Sequence, residues 1–406
     1  MKKIIKTLSL FGVAAAVTAS LTSCGNGDAD KPHLTIAINQ NTGTTVGAMR
    51  AWLDAAQDEL GFTYDTVLMD RSDWNKNSQD LKDKINSGSN GIITMVDFPS
   101  NYLKVVLDSC KEHDAYFAGW MTELSNAQDE NNYLLDSDRI VGTVSDGESG
   151  AQRGEKLFEY VKASTERKVV FTQYDPALFP AVKGAVQRFI DLAEEYNKTA
   201  TDESDKFTFF EGTGENYDKS VNNRAFTAGF RGIDQSFYNT WKNDGVEAIV
   251  SVNSLSKYLL PTMKADTTGH MKLYSVGYDD STSTSLGDGQ MMTVSQTPAE
   301  TIFFPVVQLL NAINGKSYSD APKDAKSKVA TGNYIYVQTK EELAIAKSKI
   351  LNFQGQKENG KEVYDLTKTI FTPADAKKLL ASTSGSTYKG LTDTLASWTS
   401  QNIIKK

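Results

Sequence analysis

Side chains able to do covalent or metal chemistry are scarce in this chain. Two cysteines (Cys24, Cys110) and three histidines (His33, His113, His270) are the whole stock. No HExxH or CxxC spacing brings them together, so no metal site is expected. Cys110 lies in LKVVLDSCKEH, on the apolar side of an expected helix, and reads as a buried structural thiol. His113 shares that helix, but nothing nearby could hold an oxyanion, so no thiol nucleophile is expected. A G-x-S-x-G elbow is absent. The acidic run Asp202-Glu203-Ser204-Asp205 lacks the glycine and closing glutamate of an EF-type calcium loop. What remains is hydrogen bonding by Asn, Gln and Asp beside aromatic rings, which is the chemistry of recognition. The chain is therefore expected not to be an enzyme and to need no cofactor.

The first residues say where that recognition takes place. Lys2, Lys3 and Lys6 precede an apolar run from Leu8 to Leu21, followed by Leu21-Thr22-Ser23-Cys24. This is the layout of a secretory leader, and its end resembles a bacterial lipobox. The resemblance implies cleavage before Cys24 and a lipid on its sulfur; an ordinary cleaved leader with an incidental cysteine is the competing reading. Residues 1–23 are thus expected to be a lipoprotein signal peptide and 24–33 a polar tether. No later apolar run reaches the roughly 18 residues of a membrane helix, so acyl chains would be the only anchor to a bacterial membrane, on its periplasmic side or at the cell surface. The chain carries a net charge of −8, and loss of the leader lysines makes the body more acidic still. Nucleic acid is a poor partner for such a body; a neutral or zwitterionic ligand fits better. A monomer is expected.

The elements that must position such a site alternate. Residues 34–39, 62–70, 91–97 and 115–120 read as strands; 47–60, 74–86 and 101–113 have helical spacing, with Gly61 stopping the first helix. The alternation restarts after about position 145. Strands are expected at 139–144, 168–173, 206–212, 247–253 and 272–279, with helices between them, including one over 222–242. Strands alternating with helices predict an α/β chain with parallel sheets in two successive units.

Several segments in order resemble the type I periplasmic binding proteins, the sugar-binding class of ABC transporters. They are RIVGTVSDGESGAQRGEKLFEYV, GVEAIVSVNSLSKYLLPTMK, KLYSVGYDDS and GDGQMMTVSQTPAETIFFPVVQLLNAINGK. The resemblance spans about residues 34–340. It implies two Rossmann-like domains joined by three hinge crossings, near 145–146, 296–297 and 325–330. The N-terminal domain would comprise 34–145 and 297–325, and the C-terminal domain 146–296 and 326–340. Residues 341–406 extend beyond the family's usual end, and packing on a domain surface is the default expectation for them. The implied function is capture of a small neutral polar ligand, sugar-like, for an ABC permease; a ligand-presenting sensor for a chemoreceptor or histidine kinase is the alternative.

Sugar recognition calls for planar polar groups toward hydroxyls and aromatic faces toward C–H surfaces. Strand ends supply candidates. The resemblance implies ligand contact for the loop of Asn39, Gln40 and Asn41, against simple turn chemistry. Asp97 and Phe98 leave the third strand together, although a helix cap would also explain an acidic residue there. Trp120 stands where the family commonly has an Asp-Arg pair; it would either stack on the ligand or pack beneath the hinge. Phe179 follows the strand ending at Gln173. Asn253, Asp279 and Gln296 close strands at positions where the family contacts ligand. Asn253 is followed by Ser254 where the family has Asp.

Overall fold

The computed structural model describes residues 31–70, 72–124, 134, 136–176, 182, 184–229, 233–278, 285–316, 318–322, 328–354, 356–358, 361–381 and 387–405. Cys24 and the expected leader lie outside these residues, as do Phe179 and Asp279.

The first half alternates as its periodicity predicts. The strands are β1 (His33–Ile38), β2 (Thr63–Leu68), β3 (Gly91–Thr94), β4 (Tyr116–Trp120) and β5 (Ile140–Val144), and the helices between them are α1 (Thr44–Leu60), α2 (Trp74–Asn86) and α3 (Ser100–Glu112). α1 buries Met49, Trp52, Leu53 and Ala56 and ends on Gly61, whose left-handed backbone (φ 72°) closes the helix. Among the described residues this sheet has the order β12-β5-β4-β3-β1-β2, all parallel, where β12 is Val329–Ala330. All four residues of β3 are buried, as a parallel strand covered on both faces requires.

The second sheet is built from β6 (Lys168–Tyr174), β7 (Thr208–Phe209), β8 (Ala225–Ala228), β9 (Ala248–Ser251), β10 (Lys272–Ser275), β11 (Met291–Gln296) and β13 (Ile335–Val337). Its order is β13-β11-β10-β9-β6-β7, with β8 also paired to β6. β13 runs antiparallel to β11. The helices α4 (Gly150–Lys162), α5 (Ala185–Asn197), α6 (Gln235–Asn243) and α7 (Ser256–Ala265) accompany it, and α8 (Phe303–Ile313) returns to pack on the first sheet. Both sheets contain the doubly wound order in which the chain reverses direction beside its first strand.

Two expectations need correction. The helix expected over 222–242 is a strand followed by a shorter helix: Ala225–Ala228 pair with Phe171–Tyr174 of β6, and Phe226 packs on Phe237 and Trp241. Pairing with β6 outweighs the local helical pattern. The chain passes between sheets after Val144, after Gln296 and between Ala330 and Ile335. The last passage is later than 325–330, because Val329 and Ala330 still pair with Thr143 and Val144.

After β13 come α9 (Lys340–Lys347), α10 (Leu351–Gln354), the hairpin β14 (Gln356–Glu358) and β15 (Lys361–Val363), α11 (Pro373–Ala381), α12 (Tyr388–Ala396) and α13 (Ser400–Ile403). Among the described residues no helix is long and apolar enough to cross a membrane.

Candidate functional site

The carboxyl ends of both sheets face one cleft of about 760 Å³, within the size range of small-ligand sites. From the first sheet come Asn39 and Gln40 after β1, Met95 after β3, Met121 after β4 and Asp146 after β5. From the second come Tyr174 at the end of β6, Asn253 after β9, Tyr278 after β10, and Gln296 with Thr297 at the end of β11. In open α/β sheets the reversal of strand order opens a crevice at these ends, and β1/β3 and β6/β9 are the reversals here.

Asn39 has its side-chain oxygen buried without a protein partner. Gln40 lies against Gly43, whose φ of 115° favours glycine and where a Cβ would come 3.0 Å from the Gln40 amide nitrogen. Asn253 is nearly buried and accepts the Tyr174 N–H through Oδ1 at 2.7 Å, which ties the ends of β6 and β9. Gln296 donates through Nε2 to the Asn352 carbonyl at 3.0 Å. Gly277 (φ 97°) leans on Ser254 so closely that a Cβ would come within 2.4 Å; glycine alone lets this turn line the cleft.

On the cleft wall, at the passages between sheets, is a charged cluster. Arg153 is 2% exposed. It donates to the Val252 carbonyl (3.0 Å), the Asp146 carbonyl (3.3 Å) and the Tyr334 hydroxyl (2.7 Å), and it lies 4.8 Å from the Tyr334 ring centroid. Asp146 accepts the Thr297 hydroxyl at 3.1 Å. Burial pushes the Asp146 carboxyl above its ordinary range, opposed by Arg153 and by that hydrogen bond. Burial raises the Tyr334 hydroxyl far above its usual value, so it stays protonated. Asp146, Arg153 and Tyr334 are themselves part of the cleft wall, as is Lys257, and the Arg153 Nε is buried without a hydrogen-bond partner among the described residues. Amides, hydroxyls and tyrosines make up most of the remaining polar lining.

Several expected contacts lie elsewhere. Asn41 faces Arg50, which donates to its carbonyl at 2.9 Å and to its Oδ1 at 3.3 Å; it does not line the cleft. Phe98 is fully buried against Trp74, with ring centroids 5.4 Å apart. Asp97 beside it is half-buried and also absent from the cleft wall. Trp120 is fully buried and donates through Nε1 to the Thr301 hydroxyl at 3.0 Å. It packs beneath the passage and offers no face to a ligand, because its place in β4 turns the side chain into the core. Cys110 is fully buried, and burial pushes its thiol up to about 12. Among the described residues no cluster of His, Cys, Asp and Glu could hold a metal ion.

Arg153 and Tyr334 escaped the sequence reading. A signal existed for Arg153: it shares the buried face of α4 with Gly150, Gly154, Leu157 and Val161, an apolar stripe on which a charge needs a partner.

No protein-family model matches the sequence, and no curated protein matches it. Solved structures do. A twin-arginine translocation pathway signal protein from Burkholderia phytofirmans superposes with TM-score 0.58 and 13% identity, covering 82% of this chain and 99% of that one. An ABC transporter periplasmic solute binding protein from Actinobacillus succinogenes 130z, with bound D-allose, gives TM-score 0.56 and 13% identity over 77% of this chain and 98% of that one. An ABC transporter solute binding protein from Bacillus halodurans C-125, with bound myo-inositol, gives 0.53 and 12% over 77% and 96%. Similarity at this level speaks to architecture: the chain has the type I periplasmic binding protein fold, two parallel α/β sheets whose strand ends meet across one cleft.

Proposed function

We propose that this protein is an extracytoplasmic solute-binding protein that takes a small neutral polyol or sugar into the cleft and passes it to an ABC permease. The observation that carries the reading is the make-up of the cleft wall. Asn39, Gln40, Asn253 and Gln296 bring planar amides from both sheets to one space, and Tyr174 and Tyr278 bring rings. Amides accept and donate to neighbouring hydroxyls at once, and rings cover C–H surfaces. Asp146 and Arg153 bring groups of opposite charge to the same wall, where an acceptor and a donor can each take a ligand hydroxyl. The likeness to structures holding D-allose and myo-inositol supports the same class. Capture would proceed by approach of the two lobes, each a sheet with its helices, about the passages at 145–146, 296–297 and 331–334. Excluding water strengthens each hydrogen bond.

The reading gives the leader a purpose. Cleavage before Cys24 and acylation of its sulfur would tether the body as a monomer near a membrane permease, with residues 25–31 as the leash. A second lipid chain on the same residue makes such an anchor stable.

A thermal-shift screen tests the function. D-allose, myo-inositol, and panels of monosaccharides, disaccharides and nucleosides are added to the purified chain. Ligand at about 100 times its Kd stabilises the folded state by roughly 2.7 kcal/mol, so at least one sugar or polyol is expected to raise Tm by several degrees. Silence across the whole panel would contradict the reading.

A further inference from the structure

Beyond β13 the chain crosses between the lobes again, although the cleft is complete without it. α9 packs on β13 of the second lobe, and Lys340 pairs with Asp288 there at 3.1 Å. α10 and α11 then pack on α1 of the first lobe, where Trp52 donates to the Phe371 carbonyl at 2.9 Å and Tyr364 donates to the Thr44 carbonyl at 3.0 Å. α13 returns to the second lobe, where Ser400 accepts the Tyr336 N–H at 2.8 Å. Among the described residues the extension thus adds two passages to the three already described.

The first added passage runs along the cleft itself. Asn352 is fully buried. Its Nδ2 donates to the Thr297 carbonyl at 2.9 Å and to the Thr45 hydroxyl at 3.4 Å. Its Oδ1 accepts the Ala299 N–H at 3.1 Å, and its carbonyl accepts the Gln296 amide. Thr45, Gln296 and Thr297 all line the cleft. The next residue, Phe353, accepts the Tyr278 hydroxyl at 3.3 Å and lays its ring 4.8 Å from that of Tyr278 on the second lobe. Glu300, fully buried, accepts the Leu351 N–H at 2.9 Å and the Thr369 hydroxyl, so the extension is pinned to the same passage from both sides of α10.

We propose that Asn352 is a positioning residue of the cleft, and that the C-terminal extension is a strap that sets how far the two lobes open. Asn352 holds the Gln296 amide in one orientation and fastens the 296–300 passage to Thr45 of the first lobe, while Phe353 holds Tyr278 of the second. A hinge made of the three other passages turns by changing a few backbone dihedrals. With the strap in place, opening also has to break buried hydrogen bonds and leave their partners unpaired, which is unfavourable. The cleft is therefore held near one aperture before ligand arrives, a form of preorganisation. The claim about aperture stands apart from the reading of the ligand; only the claim about Gln296 rests on it.

The test places spin labels at the exposed positions Asn75 on the first lobe and Lys219 on the second, as Asn75→Cys and Lys219→Cys in the full chain with Cys24→Ser. Distances are measured without any ligand. The otherwise unaltered chain is expected to give one narrow distance population. Asn352→Ala is expected to add a longer one, and so is Asn352→Asp, which keeps the acceptor for Ala299 but cannot donate to Thr297 or Thr45. Tyr278→Phe, which removes one hydroxyl and little volume, is expected to shift the distribution the same way by less; it decides the matter if the Asn352 variants do not fold. A broad distribution in the starting chain, or a distribution unchanged in the folded variants, would overturn the proposal. The positioning arm is read with D-allose and myo-inositol: where either binds the starting chain, Asn352→Ala is expected to weaken it about tenfold, and equal affinity would remove the positioning role while leaving the distance result to judge the strap.

Discussion

Arg153 and Tyr334 meet at 2.7 Å across 181 positions of sequence, joining the helix that follows the first passage between lobes to the turn of the third. The same guanidinium lies over the Tyr334 ring, and Gly147 (φ 74°) leaves room for that ring, since a Cβ there would come within 2.3 Å of it. The contact fixes two passages to each other in the cleft wall. Tyr334→Phe removes the hydroxyl and keeps the ring, so a loss of about 1–2 kcal/mol is expected, measured by urea unfolding. Arg153→Met leaves the Val252 and Asp146 carbonyls without this donor and is expected to cost more than Tyr334→Phe.

Trp120 separates packing from recognition. Trp120→Phe deletes the bond to Thr301 and opens space in the core, for an expected loss of roughly 1–3 kcal/mol. Ligand affinity should stay within twofold, because no part of Trp120 reaches the cleft. Calorimetry on the folded variant, beside its denaturation curve, checks both halves.

Glu300 predicts a pH dependence. Burial raises its carboxyl from the ordinary value of 4.5 to about 7, against the hydrogen bonds from Thr369 and Leu351. The folded chain therefore binds this proton more tightly than the unfolded chain. Between about pH 4.5 and 7 the folded state holds more protons, so this group's contribution to stability falls as pH rises through that window. Glu300→Gln keeps an acceptor and removes the titration. The difference in Tm between Glu300→Gln and the unaltered chain should change in favour of the variant from pH 5 to pH 7.5; a constant difference would show that Glu300 does not titrate there.

The proposed lipid anchor makes its own prediction. In a bacterial host fed a labelled fatty acid, the chain should take up label and partition with detergent. Cys24→Ser should take up none and stay in the aqueous phase, because Cys110 is buried with its thiol held protonated.

The alternation of strands and helices was legible because each parallel strand is a short apolar run and each helix keeps a 3.6-residue face, as in β3 and α1. Positions at strand ends followed from that, which is why Asn39, Gln40, Asn253 and Gln296 lie at the cleft. Which way a side chain faces at a strand end is settled by packing from distant parts of the chain. Trp120 turns inward to Thr301, Phe98 toward Trp74, and Asn41 toward Arg50, and none of these partners is marked by local pattern. The Arg153–Tyr334 contact is non-local in the same way. β8 read as helix because its local pattern continues into the helix that follows; pairing with the edge of β6, which is non-local, decides it. The strap was illegible for the same reason: its role lies in Asn352 meeting Thr45 and Gln296, residues 307 and 56 positions away.

The most direct measurement is calorimetric titration of the ligand that stabilises the chain most, into the unaltered protein and into Asn253→Ala and Gln296→Ala. The account predicts saturable binding at one site per chain, weakened at least tenfold in each variant while both remain folded, as loss of a hydrogen-bonding partner in a closed cleft requires. Unchanged affinity in both variants would contradict the claim that this cleft is where the protein holds its ligand.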